Sequence, residues 1–251
     1  MQNSTYEQQP NPVHRVLFIG IAVLISAVIF IFIGLFGYYL WIELLGTDTA
    51  KNDLATKFST DFNKNPNIVY SDETVITPAD VEKTIRPYTP VIGSPQAPVT
   101  IVMFIDFHCQ FGQKAYSTIK TIQEQYGPII RLVFKHFPVE VLNSDATNTA
   151  IASQCTQSSG KFWKYYDLLF ETPEKDELTL LQHAQTIGMS MPQFQSCLSN
   201  KETHYIIIED LQDGITFGIQ GTPTYIVNGQ KIEGAITKKQ WDDVIINALK
   251  K

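Results

Sequence analysis

The stretch from Val99 to Phe134 constrains this chain more than any other. Val99-Thr-Ile-Val-Met-Phe-Ile105 is a nearly continuous apolar run rich in β-formers, as expected of a strand buried on both faces. Cys109 to Tyr126 then carries helix formers with apolar positions at Tyr116, Ile119 and Ile122, and Gly127-Pro128 stops it. Ile129-Ile-Arg-Leu-Val-Phe134 reads as a second strand. A strand, a helix and a strand in this order form a crossover, so the two strands run parallel in one sheet.

The rest of the C-terminal half extends that pattern. Asn143 to Asn200 reads as mostly helical. Ser144 and Asp145 are cap candidates for a helix through Ala150, Ile151 and Cys155 to Gly160. Phe162, Trp163, Tyr166, Leu169 and Phe170 form a second apolar face, and Glu177–Ile187 and Met191–Leu198 follow, separated by Gly188. Lys201–Phe217 is a long helix ending at Gly218. Thr224–Val227, the turn Asn228-Gly229 and Lys231–Ile236 make a hairpin, and Lys238–Leu249 closes the chain as a helix. The order is β, α, β, a helical insertion at about 143–200, then α, β, β, α.

The N-terminal part has a different character. No charged residue occurs from Val16 to Ile42, and as a helix that run would span about 40 Å, against a hydrocarbon core of about 30 Å. Tyr38, Tyr39 and Trp41 at its far end suit a membrane interface. A buried core helix fits this length poorly. A cleaved signal peptide is the stronger rival, but the run exceeds a signal h-region and no A-x-A site follows it. Residues 1–15 then form a tail, 16–42 a single-pass anchor, 43–90 a stalk and 91–251 the folded domain. Arg15 on one side and Lys51 and Lys57 on the other nearly balance, and the shortness of the tail points to an N-inside orientation. That puts the domain outside the cytoplasm, with the lipid bilayer as a partner through residues 16–42. Lys and Arg number 19 against 25 Asp and Glu, a net charge of −6, which argues against nucleic-acid binding.

Cys109 stands where the first strand gives way to the first helix. Unpaired backbone N–H groups and the helix dipole at that point favour the thiolate, the form that attacks disulfides. A small buried hydrophobe at a helix start is the competing reading. Ala97-Pro-Val-Thr-Ile-Val-Met-Phe-Ile-Asp-Phe-His-Cys-Gln-Phe-Gly112 resembles the active-site strand and helix start of DsbA-like thiol–disulfide oxidoreductases. So do Val91-Ile92-Gly93, Gly160-Lys-Phe-Trp-Lys-Tyr-Tyr-Asp-Leu-Leu-Phe170 and Gly221-Thr-Pro223, in the same order. The resemblance covers Val91–Lys251 and implies an α/β, thioredoxin-like fold with an α-helical insertion. It also implies disulfide exchange with secreted or membrane proteins, in an oxidising compartment. Cys109 matches the family's first active-site cysteine and Pro223 its cis-proline. Thr222 and Pro223 would then hold an extended substrate, against the alternative of an ordinary trans-proline turn.

One position departs from that pattern. The family carries Cys-x-x-Cys, and this chain reads Cys109-Gln110-Phe111-Gly112. Gly112 has no sulfur, so the site cannot hold an internal disulfide, and a mixed disulfide on Cys109 lacks a local resolving thiol. The resemblance also points to a structural disulfide between Cys155 and Cys197, the latter in Phe194-Gln-Ser-Cys197-Leu198. Two unpaired core thiols, or a remote resolving pair for Cys109, are the alternatives. His108 adjoins Cys109 and is a possible tuning residue; His136 reads as structural. Asp106 and Glu233 are carboxylates placed to tune the site from below, with an ordinary surface or hairpin role as the default. His14, His183 and His204 show no metal-ligand spacing. With no Gly-rich phosphate loop or Gly-x-Ser-x-Gly elbow either, no cofactor or metal is called for. Two functions compete: an anchored exchange protein of oxidoreductase or isomerase type using Cys109 alone, and a redox-inactive peptide-binding or chaperone scaffold. The substrate and the redox partner are not legible in the sequence.

Overall fold

The computed structural model describes residues 76–250 apart from 140–142 and 144. The tail, the apolar run at 16–42 and residues 43–75 of the expected stalk lie outside the described residues. Among the described residues no helix is long and apolar enough to cross a membrane.

The elements are α1 (Pro78–Thr84), β1 (Val91–Ile92), β2 (Val99–Ile105), α2 (Gln110–Tyr126), β3 (Ile130–His136), α3 (Ala146–Gln154) and α4 (Phe162–Glu171). They continue with α5 (Glu177–Thr186), α6 (Met191–Leu198), α7 (Lys201–Thr216), β4 (Thr224–Val227), β5 (Gln230–Glu233) and α8 (Lys238–Ala248). The five strands form one sheet in the order β1-β3-β2-β4-β5. β2 and β3 are parallel, from Val99 beside Ile130 to Ile105 beside His136, as the crossover through α2 dictates. β4 lies antiparallel on the other side of β2, with Phe104 opposite Thr224 and Ile101 opposite Val227. β4 and β5 form the hairpin, whose turn residues Asn228 and Gly229 have φ of 46° and 90°, as a tight two-residue turn requires.

Because β2 is central, both its faces are covered. Ile101, Met103 and Ile105 share a core with Ile119 and Ile122 of α2, Phe162, Leu169 and Phe170 of α4, and Trp241 of α8. Val102 and Phe104 point the other way, with Val133 and Ile226, and meet Ile76, Val81, Phe217 and Ile219. This alternation follows the two-residue period of a strand.

Residues 76–90, which the sequence assigned to the stalk, belong to this second core. Thr77 caps α1 in a capping box: its Oγ1 accepts from the Asp80 backbone N–H, and Asp80 Oδ2 accepts from the Thr77 backbone N–H, each at 3.2 Å. Pro78 occupies the first helical turn, where its missing N–H is harmless. A Cβ on Gly229 would lie 2.3 Å from Ile76 O, so glycine in the hairpin turn lets this segment dock.

A buried charge cluster joins the same segment to α7. Lys135 on β3 has no exposed side-chain surface, and its Nζ lies 2.8 Å from Asp210 Oδ1 and 2.9 Å from Asp213 Oδ2. It also donates to Thr84 O at 2.5 Å. Arg86 pairs with Asp213 through two hydrogen bonds, at 2.5 and 3.0 Å. On the opposite core, Cys155 after α3 and Cys197 in α6 are joined by a disulfide across 42 positions, stapling the helical insertion.

Two measurements follow from this packing. Lys135→Ala leaves the buried Asp210 carboxylate without its cation, while Asp213 keeps Arg86, and lowers stability by about 3–5 kcal/mol, a Tm fall of about 10 °C. An unchanged Tm would contradict the buried pairing. Replacing Cys155 and Cys197 together by alanine removes about 4 kcal/mol in the chain-entropy model. Thermal unfolding with and without reductant reads this loss, and equal Tm values in the two conditions would count against the staple.

Candidate functional site

Antiparallel pairing of β2 with β4 brings two distant segments together. The residues after the end of β2 lie beside those before the start of β4, so Cys109 meets Thr222. Cys109 is the N-cap of α2, with extended φ and ψ of −71° and 121°. Its backbone N–H donates to Asp106 O at 3.1 Å, closing the turn between strand and helix, while its own carbonyl accepts from Gln113 N–H at 3.0 Å. The thiol is half-buried and is the one free cysteine among the described residues. Its Sγ donates to Thr222 O at 3.0 Å.

The Thr222–Pro223 peptide bond is cis. The loop around it is held from within: Thr224 Oγ1 donates to Gly221 O at 2.7 Å, and Gly234 N–H donates to Pro223 O at 2.8 Å. Thr222 itself is buried. The structure thus brings together three of the residues singled out from sequence, Cys109, Thr222 and Pro223.

His108 takes a different direction from the one a tuning role needs. Its Nε2 lies 2.8 Å from Thr149 Oγ1 on α3. The Thr149 hydroxyl donates its proton to Asp145 O at 3.0 Å, so the imidazole Nε2 carries the hydrogen of the shared bond. Burial pushes the His108 titration below its ordinary value, favouring the neutral ring. His108 therefore links the site loop to α3 rather than placing a positive charge beside the sulfur. His136 is fully buried, its Nε2 donating to Gln154 Oε1 at 3.1 Å, and burial holds its titration down at about 3.

Asp106 plays a part that its sequence neighbourhood did not announce. It is buried, and its carboxylate accepts from His108 N–H at 2.8 Å and from Val139 N–H at 2.9 Å. It thereby ties the turn before Cys109 to the segment after β3. Burial raises its titration, partly offset by those two hydrogen bonds. Glu233 sits on β5 with Lys231 3.7 Å away and belongs to the hairpin.

Gly112 lies buried one turn into α2, beneath Cys109. A Cβ there would stand 3.7 Å from Cys109 Cβ, 3.7 Å from the Phe170 ring and 3.2 Å from Asp106 O. The first distance falls within the range bridged by a disulfide, about 3.5–4.5 Å. No cluster of three or more His, Cys, Asp or Glu able to hold a metal occurs among the described residues. Chemically, the arrangement offers one sulfur, a facing carbonyl and a helix N-terminus.

Comparison with known proteins gives this arrangement its family. The model of the family described as thioredoxin matches residues 86–247. Among curated proteins, the Na(+)/H(+) antiporter NhaA 1 of Mycolicibacterium gilvum (strain PYR-GCK) is 30% identical over 160 residues, 61% of this chain and 26% of that protein. NhaA 3 of Salinispora tropica is 29% identical over 147 residues, 57% of this chain and 22% of its own. The chain thus spans about a quarter of the length of the curated relatives it matches. Among solved structures, a thioredoxin-like oxidoreductase from Silicibacter pomeroyi DSS-3 superposes with a TM-score of 0.61 at 25% identity, covering 66% of this chain and 95% of that one. BdbD from Bacillus subtilis, in its oxidised form, gives a TM-score of 0.58 at 22% identity, covering 65% and 94%. α-DsbA1 from Wolbachia pipientis gives 0.61 at 19%, covering 68% and 95%, and these last two speak to the fold alone. On the extent of the family match and the fold it shares with these oxidoreductases, the chain belongs to the thioredoxin family.

Proposed function

We propose that this protein exchanges disulfides through Cys109 alone, acting on thiol- or disulfide-bearing proteins outside the cytoplasm. The observation that carries this reading is the Cys109 sulfur at the N-terminus of α2, half-exposed and 3.0 Å from Thr222 O. Backbone N–H groups at a helix start lower the cost of the thiolate. The thiolate attacks one sulfur of a substrate disulfide, forming a bond to it as the substrate S–S bond breaks. The other substrate sulfur leaves as a thiolate. A second substrate thiolate then attacks the substrate sulfur of the mixed disulfide, forms a new disulfide and returns Cys109 as a thiolate. No net electrons are transferred, so the cycle is an isomerisation; a small external thiol in place of the second attacker makes it the first half of a reduction. The Thr222-Pro223 loop lies against the attacked bond and supplies backbone for an extended substrate.

The location belongs to the same proposal. The length of the apolar run at 16–42 supports a single-pass anchor. The Cys155–Cys197 bond supports an oxidising compartment, since such bonds persist outside the cytosol. The redox-inactive scaffold draws its support from Gly112, which leaves Cys109 without a partner sulfur.

Two experiments decide between these readings. The full chain and its Cys109→Ser variant are incubated with a scrambled-disulfide protein in glutathione buffer. The exchange reading predicts faster recovery of the native substrate with the parent and background recovery with the variant. Equal rates leave the scaffold reading standing. In the second, Gly112→Cys is exposed to oxidised glutathione. The introduced Cβ needs Asp106 O to give by a few tenths of an ångström, and the new thiol then bonds to Cys109. Mass spectrometry after alkylation finds both sulfurs protected until reductant is added. Two freely alkylated thiols would show that the turn no longer accepts the bridge.

A further inference from the structure

A cleft of about 450 Å³ lies between α7, α3 and the segment that follows β3. Residues 137–139 form one wall and Ile207, Ile208 and Leu211 of α7 the other, with Thr147 contributed by α3. Ile207 is buried, but Ile208 is 56% exposed, and Tyr205, one turn earlier on the same helix, is 63% exposed. Apolar surface therefore continues from the cleft onto the outside of α7. Among the described residues no carboxylate, lysine or arginine lines the cleft. His204 does line it, and its Nε2 donates to Leu198 O at 3.1 Å. The walls suit an uncharged, apolar group.

The cleft is tied by hydrogen bonds to the turn that carries the sulfur. Val139 N–H donates to Asp106 Oδ2 at 2.9 Å, and Cys109 N–H donates to Asp106 O at 3.1 Å. Two backbone nitrogens bonded to one aspartate stand no more than about 11 Å apart, the reach of about three extended residues. On the other side of the cleft, α3 is fixed to the same turn where His108 Nε2–H donates to Thr149 Oγ1 at 2.8 Å.

The sheet sets the direction. Phe137 N–H donates to Ile105 O at 2.9 Å, so the chain leaving β3 stays beside the chain leaving β2. β4 flanks β2 on the opposite side. Thr222, Cys109 and Val139 therefore follow one another across a single edge of the sheet. A polypeptide with its disulfide over Cys109 and one flank against Thr222-Pro223 carries its other flank across the end of β3, toward Val139 and the cleft. The substrate of an isomerisation is a mispaired protein, whose apolar side chains have not yet found a core.

We propose that this cleft is a substrate subsite, taking an apolar side chain that lies about three residues from the substrate cysteine held at Cys109. The proposal deepens the exchange reading and rests on it. Cys109 supplies the chemistry, and the cleft selects extended chains that still expose apolar residues.

The test uses the full chain and peptides with one cysteine, capped as a disulfide with an aromatic thiol. Attack by the Cys109 thiolate on the peptide sulfur forms the mixed disulfide and expels the aromatic thiolate, whose absorbance gives the rate. Mass mapping places the adduct. Leu or Ser stands three residues before or after the cysteine, and each rate is divided by that of glutathione with the same peptide. In one of the two registers the Leu peptide is expected to react about tenfold faster than the Ser peptide. Ile208→Glu, at a position already facing solvent, brings that ratio close to one. A ratio of one in the parent in both registers, or a ratio that survives in Ile208→Glu, overturns the subsite while leaving exchange intact. A dimer in sedimentation that Ile208→Glu dissociates overturns it too, by giving the cleft to a second copy of the chain. No adduct on Cys109 with any peptide sinks the exchange reading itself.

Discussion

The register of β2 against β4 is the constraint from which the site follows. β2 enters the middle of the sheet, parallel to β3 and antiparallel to β4. Antiparallel pairing with Phe104 opposite Thr224 forces the end of β2 and the loop before β4 to the same edge of the sheet. The chain leaving β2 must turn into α2 there, and Cys109 caps that helix. A shift of β4 by one residue in this ladder would send Tyr225 to the face opposite Met103 and part the sulfur from Thr222 O. The chemistry of the site is thus set by backbone pairing some residues away from it.

Much of this was legible because the signals are local and strong. The apolar run at Val99–Ile105, the stop at Gly127-Pro128 and the Asn228-Gly229 turn each correspond to an element or its end. The position of Cys109 at a strand–helix junction was readable for the same reason. What escaped the sequence depends on partners far along the chain. Lys135 sits in a strand with no exposed surface because Asp210 and Asp213 arrive from α7 to meet it, and no strand pattern announces that. His108 adjoins Cys109 in the sequence, yet Thr149 of α3 claims its ring. No sequence pattern announces the unpaired hydroxyl of Tyr225, which exists only once the sheet and α8 have closed over it. The α1 cap was a different kind of miss. Thr77-Pro78-Ala79-Asp80 spells a helix start in the sequence itself, but it was submerged in a polar, proline-punctuated stretch.

The two halves of the core are built by different means. The face under α2, α4 and α8 is aromatic and apolar, with Phe107 and Tyr166 in ring contact with each other and each with Phe134 and Phe170. The face under α1 and α7 is smaller and relies on the Lys135–Asp210–Asp213–Arg86 cluster. Charges taken out of water gain little over apolar packing, yet they tolerate few alternative arrangements. They fix where residues 76–90 lie, and so close the face of the sheet opposite α2.

The central claim is that Cys109 forms and releases mixed disulfides. The most direct measurement incubates the full chain with a disulfide-containing peptide, quenches with acid and locates the adduct by peptide mapping. The account predicts the peptide bonded to Cys109 and released by added thiol, with Cys155 and Cys197 still joined to each other. No adduct, or an adduct on Cys155 or Cys197, would contradict it.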